Sequence, residues 1–559
     1  MLGGCRDDGP SGDGDHDAST GAAETDTPGG STTNDLPVTG DESSDDDTGE
    51  PPAPEDAVPP PGGLRRLLAP QYLASIEHLL GPEAAEAALA PKDPTLGTFD
   101  SLATLSSVPS AGDVELYEGS AAAAVTAALT HRERLAAIVP CVDLGPFDAS
   151  CYEDLATTLG RLAWRRPLTA DQVDRLVAVA TTAQEWDPEH ELDTGVQYML
   201  TAIFQSPYFL YLVEIGEPGS EHRELDAYEL ATRMSFFLVG RTPSADVLDR
   251  AENGELDTDE GIRALAWELL EEPGARATVG RFFGELLTVR NLPSKGKDPV
   301  LFPMFSPSLA ASMLEETERL VEDVVFEEGG SVLRLFDAQH TFVDERLAAH
   351  YGMSPVGPGV FVRRALPPER AGVLSLSGWL TMSSHNTVNS PTRRGLFVVE
   401  QLLCTDVPLP PPDVNPQPIE PEADQTLREA LEQHMEDPAC SGCHSLTDPI
   451  GFGFERFDPV GAFRSLDNGK PIDSTGMLPG VGAFDGAVEL AELIVSDPRL
   501  PRCLIDKVYA GNLGFVPEEP MAPALDALGE TFVAGDHELR LLLVELTTSP
   551  VFRLVDEPK

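Results

Sequence analysis

"CSGCHSLTDPIGFGFERFDPVGAFR", residues 440–464, opens on a pattern whose reading decides the module around it. Covalent attachment of a c-type haem needs two thiols spaced for adjacent vinyl groups and an imidazole beside them for the iron. Cys440, Cys443 and His444 supply that set within five positions. Gly442, inside the motif, carries no side chain to crowd a porphyrin. Three other chemistries compete for the same residues. A structural zinc site needs four ligands, and only His434 stands nearby as a fourth, in the pattern H-x5-C-x2-C-H. A thioredoxin-type dithiol wants a βαβ context, which the surrounding sequence lacks. A disulfide between Cys440 and Cys443 would be strained. Haem c is the favoured reading.

On that reading His444 is the proximal iron ligand, and its second ring nitrogen needs an acceptor that fixes the tautomer. A backbone carbonyl in "SLTDPIG" (445–451) is expected there, in a loop stiffened by Pro449 that leaves the motif. Met477 in "DSTGMLPG" is the first choice for the distal ligand, and Met521 in "EEPMAP" the second. His434 or His385 would give a bis-histidine site, and an open distal position also fits. Phe452, Phe454, Phe457 and Phe463 are expected to wall the ring. Arg456 and Arg464 either meet haem propionates or stay on the surface. In "SSHNTVNSPTRRG", His385, Asn389, Arg393 and Arg394 either line a pocket beside the haem or, for Asn389 and Ser390, cap the helix at 392–403.

The 559-residue chain carries 94 acidic and 38 basic residues, a net charge of −56. This excludes nucleic acid and anionic membrane surfaces as partners, because phosphate binding needs clustered Lys and Arg. Residues 6–63 hold 16 of the acids and almost no large apolar side chains, so they are expected to form a disordered acidic tether. "MLGGC" at the start reads as the remnant (1–5) of a lipoprotein signal with Cys5 as the lipidated residue, although the basic and apolar regions of a signal peptide are missing. The membrane is then reached only through that N-terminal lipid anchor. With Cys5, Cys440 and Cys443 set aside, four cysteines remain. Cys141 and Cys151 flank a short loop that a disulfide closes, and Cys404 and Cys503 are left as the second pair.

Beyond the tether, helical periodicity dominates and predicts a mainly α fold: multi-helical domains in series with a C-terminal cytochrome-c-like module. Helices are expected over "GLRRLLAPQYLASIEHLLG", on both sides of Pro167 with Thr169 capping the second, and from a cap at Asp226. "GVFVRRAL" is the best strand candidate. "QTLREALEQHMED" is read as a helix running straight into Cys440. A Pro-rich connection at 405–425 precedes it. Expected boundaries are 64–135, 136–205 (with "WRRPLT"), 206–350, 360–465 (with CxxCH) and 466–559.

Several of these stretches, in this order, resemble the multidomain proteins of planctomycetes and myxobacteria built from serial domains of unknown function around a "planctomycete cytochrome C" domain. "RRLLAPQYLASIEHLLG", "CYEDLATTLGRLAWRRPLTADQVDRL", "LDAYELATRMSFFLVGRTP", "RAGVLSLSGWLTMSSHNTVNSPTRRGLFVVEQLLC" and the CxxCH stretch carry the resemblance, and "CLIDKVYAGNLG" resembles the closing domain. The resemblance implies haem and an envelope location, namely the periplasm or the outer membrane or surface of a Gram-negative bacterium. The first expectation is an electron-transfer protein with a redox partner protein of unknown identity. A haem-dependent oxidoreductase (peroxidase- or dehydrogenase-like) and a surface binding or scaffold protein with incidental haem are the alternatives.

Overall fold

The fold is taken from a computed structural model, which describes residues 57–94, 97–104, 108–145, 148–218, 222–408, 419 and 421–557. Cys5 and residues 6–56 of the expected tether lie outside the described residues. Residues 57–63, counted with the tether, are already part of the fold: Ala57 is buried, and Val58 N donates to the Pro520 carbonyl.

The chain is mainly α, as the periodicity implies. Side-chain caps fix many helix starts. Asp226 accepts from the backbone N–H of Tyr228 and Glu229 at the head of Ala227–Leu238, and Thr169 accepts from Gln172 N at the head of Ala170–Gln184. Described strands occur only as antiparallel pairs. Val362–Ala365, inside "GVFVRRAL", pairs with His340–Val343. "GLRR", expected as the start of a helix, is instead the strand Gly63–Arg66, paired with Tyr211–Glu214; the helix begins at Ala69, where Pro70 has a fixed φ and no donor to lose.

Two large apolar cores result. One gathers side chains from Leu67 to Leu212, with Phe236 and Leu248 added from the next helices. The other runs from residues 225 to 555 and includes Phe99, Trp379, Phe454 and Phe457. The junction of chain ends is pinned by buried charge. Arg65 and Arg233 both donate to the Glu214 carboxylate, at 2.8–3.0 Å, while Arg65 also reaches the Leu513 carbonyl and Arg233 the Phe552 carbonyl. Burial by itself would raise the Glu214 carboxyl, but the two guanidinium groups hold it below the usual carboxylate range. Both expected disulfides are present, Cys141–Cys151 and Cys404–Cys503. The second ties the end of the Pro391–Leu402 helical run to Arg499–Leu513.

Candidate haem-attachment site

The CxxCH motif lies inside a helix, Pro438–Gly451. The preceding helix stops at His434, so "LREALEQH" does not run into Cys440 as expected; a turn at 435–437 separates the two. The segment expected to leave the motif as a loop continues the helix through Pro449. A proline there removes one donor, whose acceptor would be the Ser445 carbonyl, and Ser445 is exposed to water.

This helical continuation sets the imidazole. Residues four apart share a helix face, so Asp448 comes beside His444, and Nδ1 donates to the Asp448 Oδ2 at 2.8 Å. The acceptor is thus a carboxylate rather than the backbone carbonyl expected from 445–451. Asp448 is fully buried and its other oxygen accepts from Thr447 Oγ1, which fixes the carboxylate. Thr392 Oγ1 approaches the same Nδ1 at 3.4 Å. Nε2 is left for another partner. The spacing H-x3-D was visible in the sequence, but only once the segment is known to be helical does it place the two side chains together.

The motif helix is held against Pro391–Phe397 by two close approaches. A Cβ on Gly395 would meet the Thr447 carbonyl oxygen at 1.8 Å, and one on Gly451 would meet the Pro391 carbonyl oxygen at 1.9 Å. Ser390 caps the Pro391 helix by accepting from Arg393 N, as expected. Asn389 does not cap it: its amide donates to Glu455 Oε1 and the Phe457 carbonyl in the interior. Arg394 is likewise fully buried and donates to the Phe454 carbonyl and Ser384 Oγ. These two residues fasten the segment after the motif and do not line a pocket.

Cys440 and Cys443 are free and only partly buried, although the other four described cysteines are bonded. Burial, then the charges of Asp448 and Glu400, push the Cys443 thiol up. A Cβ on Gly442 would meet nothing within 4 Å. His434 lies edge-on to His444 with ring centroids 4.9 Å apart. Two imidazoles sharing one iron stand on opposite sides of it; rings in direct contact leave no such space, so this arrangement does not offer His434 as the distal ligand. Nor do His434, Cys440, Cys443 and His444 form a zinc-type cluster. Among the described residues, the group of three ligating side chains whose atoms converge within 4.8 Å is Asp323, Glu328 and His340, and Arg363 pairs with both of those carboxylates.

The other expected site residues are dispersed. Met477 is on a strand, Thr475–Leu478, paired with Gly482–Asp485, rather than in a loop, and it is 48 % exposed. Its neighbour Gly476 packs against the Pro449 carbonyl, so the strand meets the far end of the motif helix. Met521 is buried in the main core. Phe454 and Phe457 also belong to that core, against Trp379 and the Arg370 guanidinium, and Phe463 is 47 % exposed. Phe452 packs with Leu427 and Leu431, sealing the preceding helix to the motif helix. Arg464 is committed to Glu455 and Asp467, whereas Arg456 makes only a 3.5 Å contact with Asp485 between two partly exposed side chains. His385 sits among cations: burial first, then Arg393, Lys297 and Lys295, lower it to about 4. Sequence reading missed Lys295 and Lys297, which come from a loop some ninety positions away.

Comparison with known families finds three matches in chain order. Residues 151–214 match PSD5, a protein of unknown function (DUF1595). Residues 225–353 match PSD4, a protein of unknown function (DUF1592). Residues 370–467 match PSCyt3, a protein of unknown function (DUF1588), and that segment contains the CxxCH motif. No match was found among the curated proteins or the solved structures compared. The chain therefore carries three family-matching segments in series, of the PSD5, PSD4 and PSCyt3 types, over residues 151–214, 225–353 and 370–467.

Proposed function

We propose that the chain is an envelope-anchored protein that binds haem c covalently through Cys440 and Cys443, with His444 on the iron, and transfers electrons. The observation that carries this reading is the His444–Asp448 hydrogen bond beside two free thiols, in a chain whose other described cysteines are paired. Nδ1 is engaged, which leaves Nε2 as the metal-binding nitrogen, and the buried carboxylate makes the imidazole a stronger donor. No atom lies within 4 Å of a Cβ placed on Gly442, so nothing crowds the motif at that point. When bound, the iron supplies one-electron chemistry. The chain's own part is to hold the imidazole in one tautomer and orientation.

Two disulfides support an oxidising compartment, consistent with Cys5 as a lipid anchor in the periplasm or at the cell surface. No helix among the described residues is long and apolar enough to cross a membrane. Met477 is kept as the proposed distal ligand, which requires the exposed strand to approach the iron.

A pyridine haemochrome spectrum of the chain made with cytochrome c maturation machinery tests the proposal. A c-type spectrum on denatured, washed protein is the expected result, and no covalent pigment overturns it. Met477→Ala is expected to convert the ferric spectrum to one that binds cyanide readily; an unchanged spectrum removes Met477.

A further inference from the structure

We propose that the loop tip at 299–305 inserts into the interfacial layer of an electrically neutral lipid bilayer, a contact separate from the Cys5 anchor. The stretch reads "PVLFPMF", and no charged residue stands between Asp298 and Glu315, in a chain of which 24% is charged. The fold does not bury it. Val300 is 85 % exposed, Met304 75 % and Leu301 57 %, while Phe305 turns back to pack against the main core. Neighbouring apolar side chains held in water at one tip cost free energy, and such a tip marks a contact surface. The tip is not a loose end. Lys297 Nζ donates to the His385 carbonyl at 2.6 Å and Asp298 N to the Asn386 carbonyl, so its base is fastened to residues 385–386.

The backbone separates lipid from protein as the occupant. In a bilayer every N–H without an acceptor is costly, whereas at a protein interface trapped water serves as one. Here the donors are engaged or missing. Pro299 and Pro303 have none. Val300 N and Leu301 N donate to Asp298 Oδ1 at 2.8 and 3.1 Å, Phe302 N donates to the Asp298 carbonyl, and Phe305 N to the Phe302 carbonyl. Among the described residues 299–305, Met304 alone keeps an N–H without an acceptor. The side chains agree. Protein hot spots favour Trp, Tyr and Arg, with Val and Leu under-represented, and the tip carries none of the first three. Charge selects the kind of bilayer and disfavours a second copy: at −56, two chains repel each other, and so do a chain and an anionic membrane. A neutral surface such as phosphatidylcholine meets no such barrier. An apolar element of this kind is expected to sink about 5–10 Å, to the boundary of headgroups and acyl chains.

The test uses the full chain with Cys5→Ser, which carries no acyl chain and so does not depend on the anchor. Phosphatidylcholine vesicles are expected to carry this chain upward in a flotation gradient. Leu301→Glu, at an exposed position, is expected to lower the partition constant about tenfold or more with an unchanged circular dichroism spectrum. Replacing part of the lipid by phosphatidylglycerol is expected to weaken binding at low salt, and stronger binding overturns the assignment to a neutral surface. Met304→Trp is expected to add an emission that moves to shorter wavelength on vesicles and is quenched by lipids brominated on the acyl chain. No flotation with neutral vesicles, flotation that Leu301→Glu leaves unchanged, or a Met304→Trp emission that brominated lipids do not quench overturns the inference. So does a dimer in sedimentation equilibrium that Leu301→Glu dissolves, which gives the tip to a second copy. Failure to take up haem, or to acquire lipid at Cys5 in cells, sinks those readings alone, because the vesicle arm stands without them.

Discussion

The N-terminal region around Arg65, Cys141 and Glu214 and the region around the CxxCH motif use the same residue types to opposite ends. In the first, reactive groups are consumed: Cys141 and Cys151 are bonded and buried, and two buried guanidinium groups share one carboxylate. In the second the thiols are left available: Cys440 and Cys443 are free. Cys141 and Cys151 approach with Cα atoms 5.6 Å apart and are bonded, whereas Cys440 and Cys443, one helical turn apart, are free. Groups that are satisfied internally hold the fold, and groups left unsatisfied are where chemistry enters.

The largest effect is expected where the contrast is sharpest. Cys440→Ala with Cys443→Ala removes all covalently bound pigment, yet leaves stability in denaturant titration within about 1 kcal/mol, since both side chains are partly exposed. Pigment that survives acid–acetone extraction from this variant would break the comparison. Next comes Glu214→Gln, which strands two buried guanidinium groups and costs about 3–5 kcal/mol by urea unfolding. The sign with pH follows from the depressed carboxyl. Its contribution is present above the ordinary value of 4.5 and is lost as the pH falls through the lower folded value, so the wild type loses stability in acid and the variant loses less.

Opening the Cys141–Cys151 bond by paired Ser substitutions is expected to cost about 3 kcal/mol, the chain-entropy value for a loop of this size. Haem content should not change, and a parallel fall in pigment would show that the two regions are not independent. The smallest effect is that of Asp448→Asn. The amide is a poorer acceptor for His444 Nδ1, so the imidazole donates less to the iron and the reduction potential rises, while the folded structure is retained. A potential that stays put in redox titration would mean that Asp448 only packs.

Much of the helical framework was legible because caps and periodicity are local: Thr169, Asp226 and Ser390 announce helix starts through their own side chains. The segment after the motif is expected as a loop because Pro449 looks like a helix breaker in isolation. In the fold, Gly451 and Gly395 are required for the close contact between helices, and that contact supports the helix through Pro449. The strand at Gly63–Arg66 was missed for the converse reason, since its partner lies about 150 residues away in Tyr211–Glu214. Arg464 and the aromatic run carried the right residue types for a haem pocket but were claimed by Glu455, Asp467 and the core.

The sequence by itself determined the thiol–thiol–imidazole spacing of Cys440, Cys443 and His444, the mainly helical character, and the pairing of the four remaining cysteines. Each is a local pattern or a matter of simple arithmetic. Tertiary structure alone decided that Asp448 holds the imidazole, that Asn389 and Arg394 are interior fasteners, and that Lys297 reaches the Ser384 and His385 carbonyls. Those outcomes depend on which carboxylates and carbonyls reach a given cation first, and such competition is settled between segments far apart in the chain, where burial makes every unpaired charge expensive.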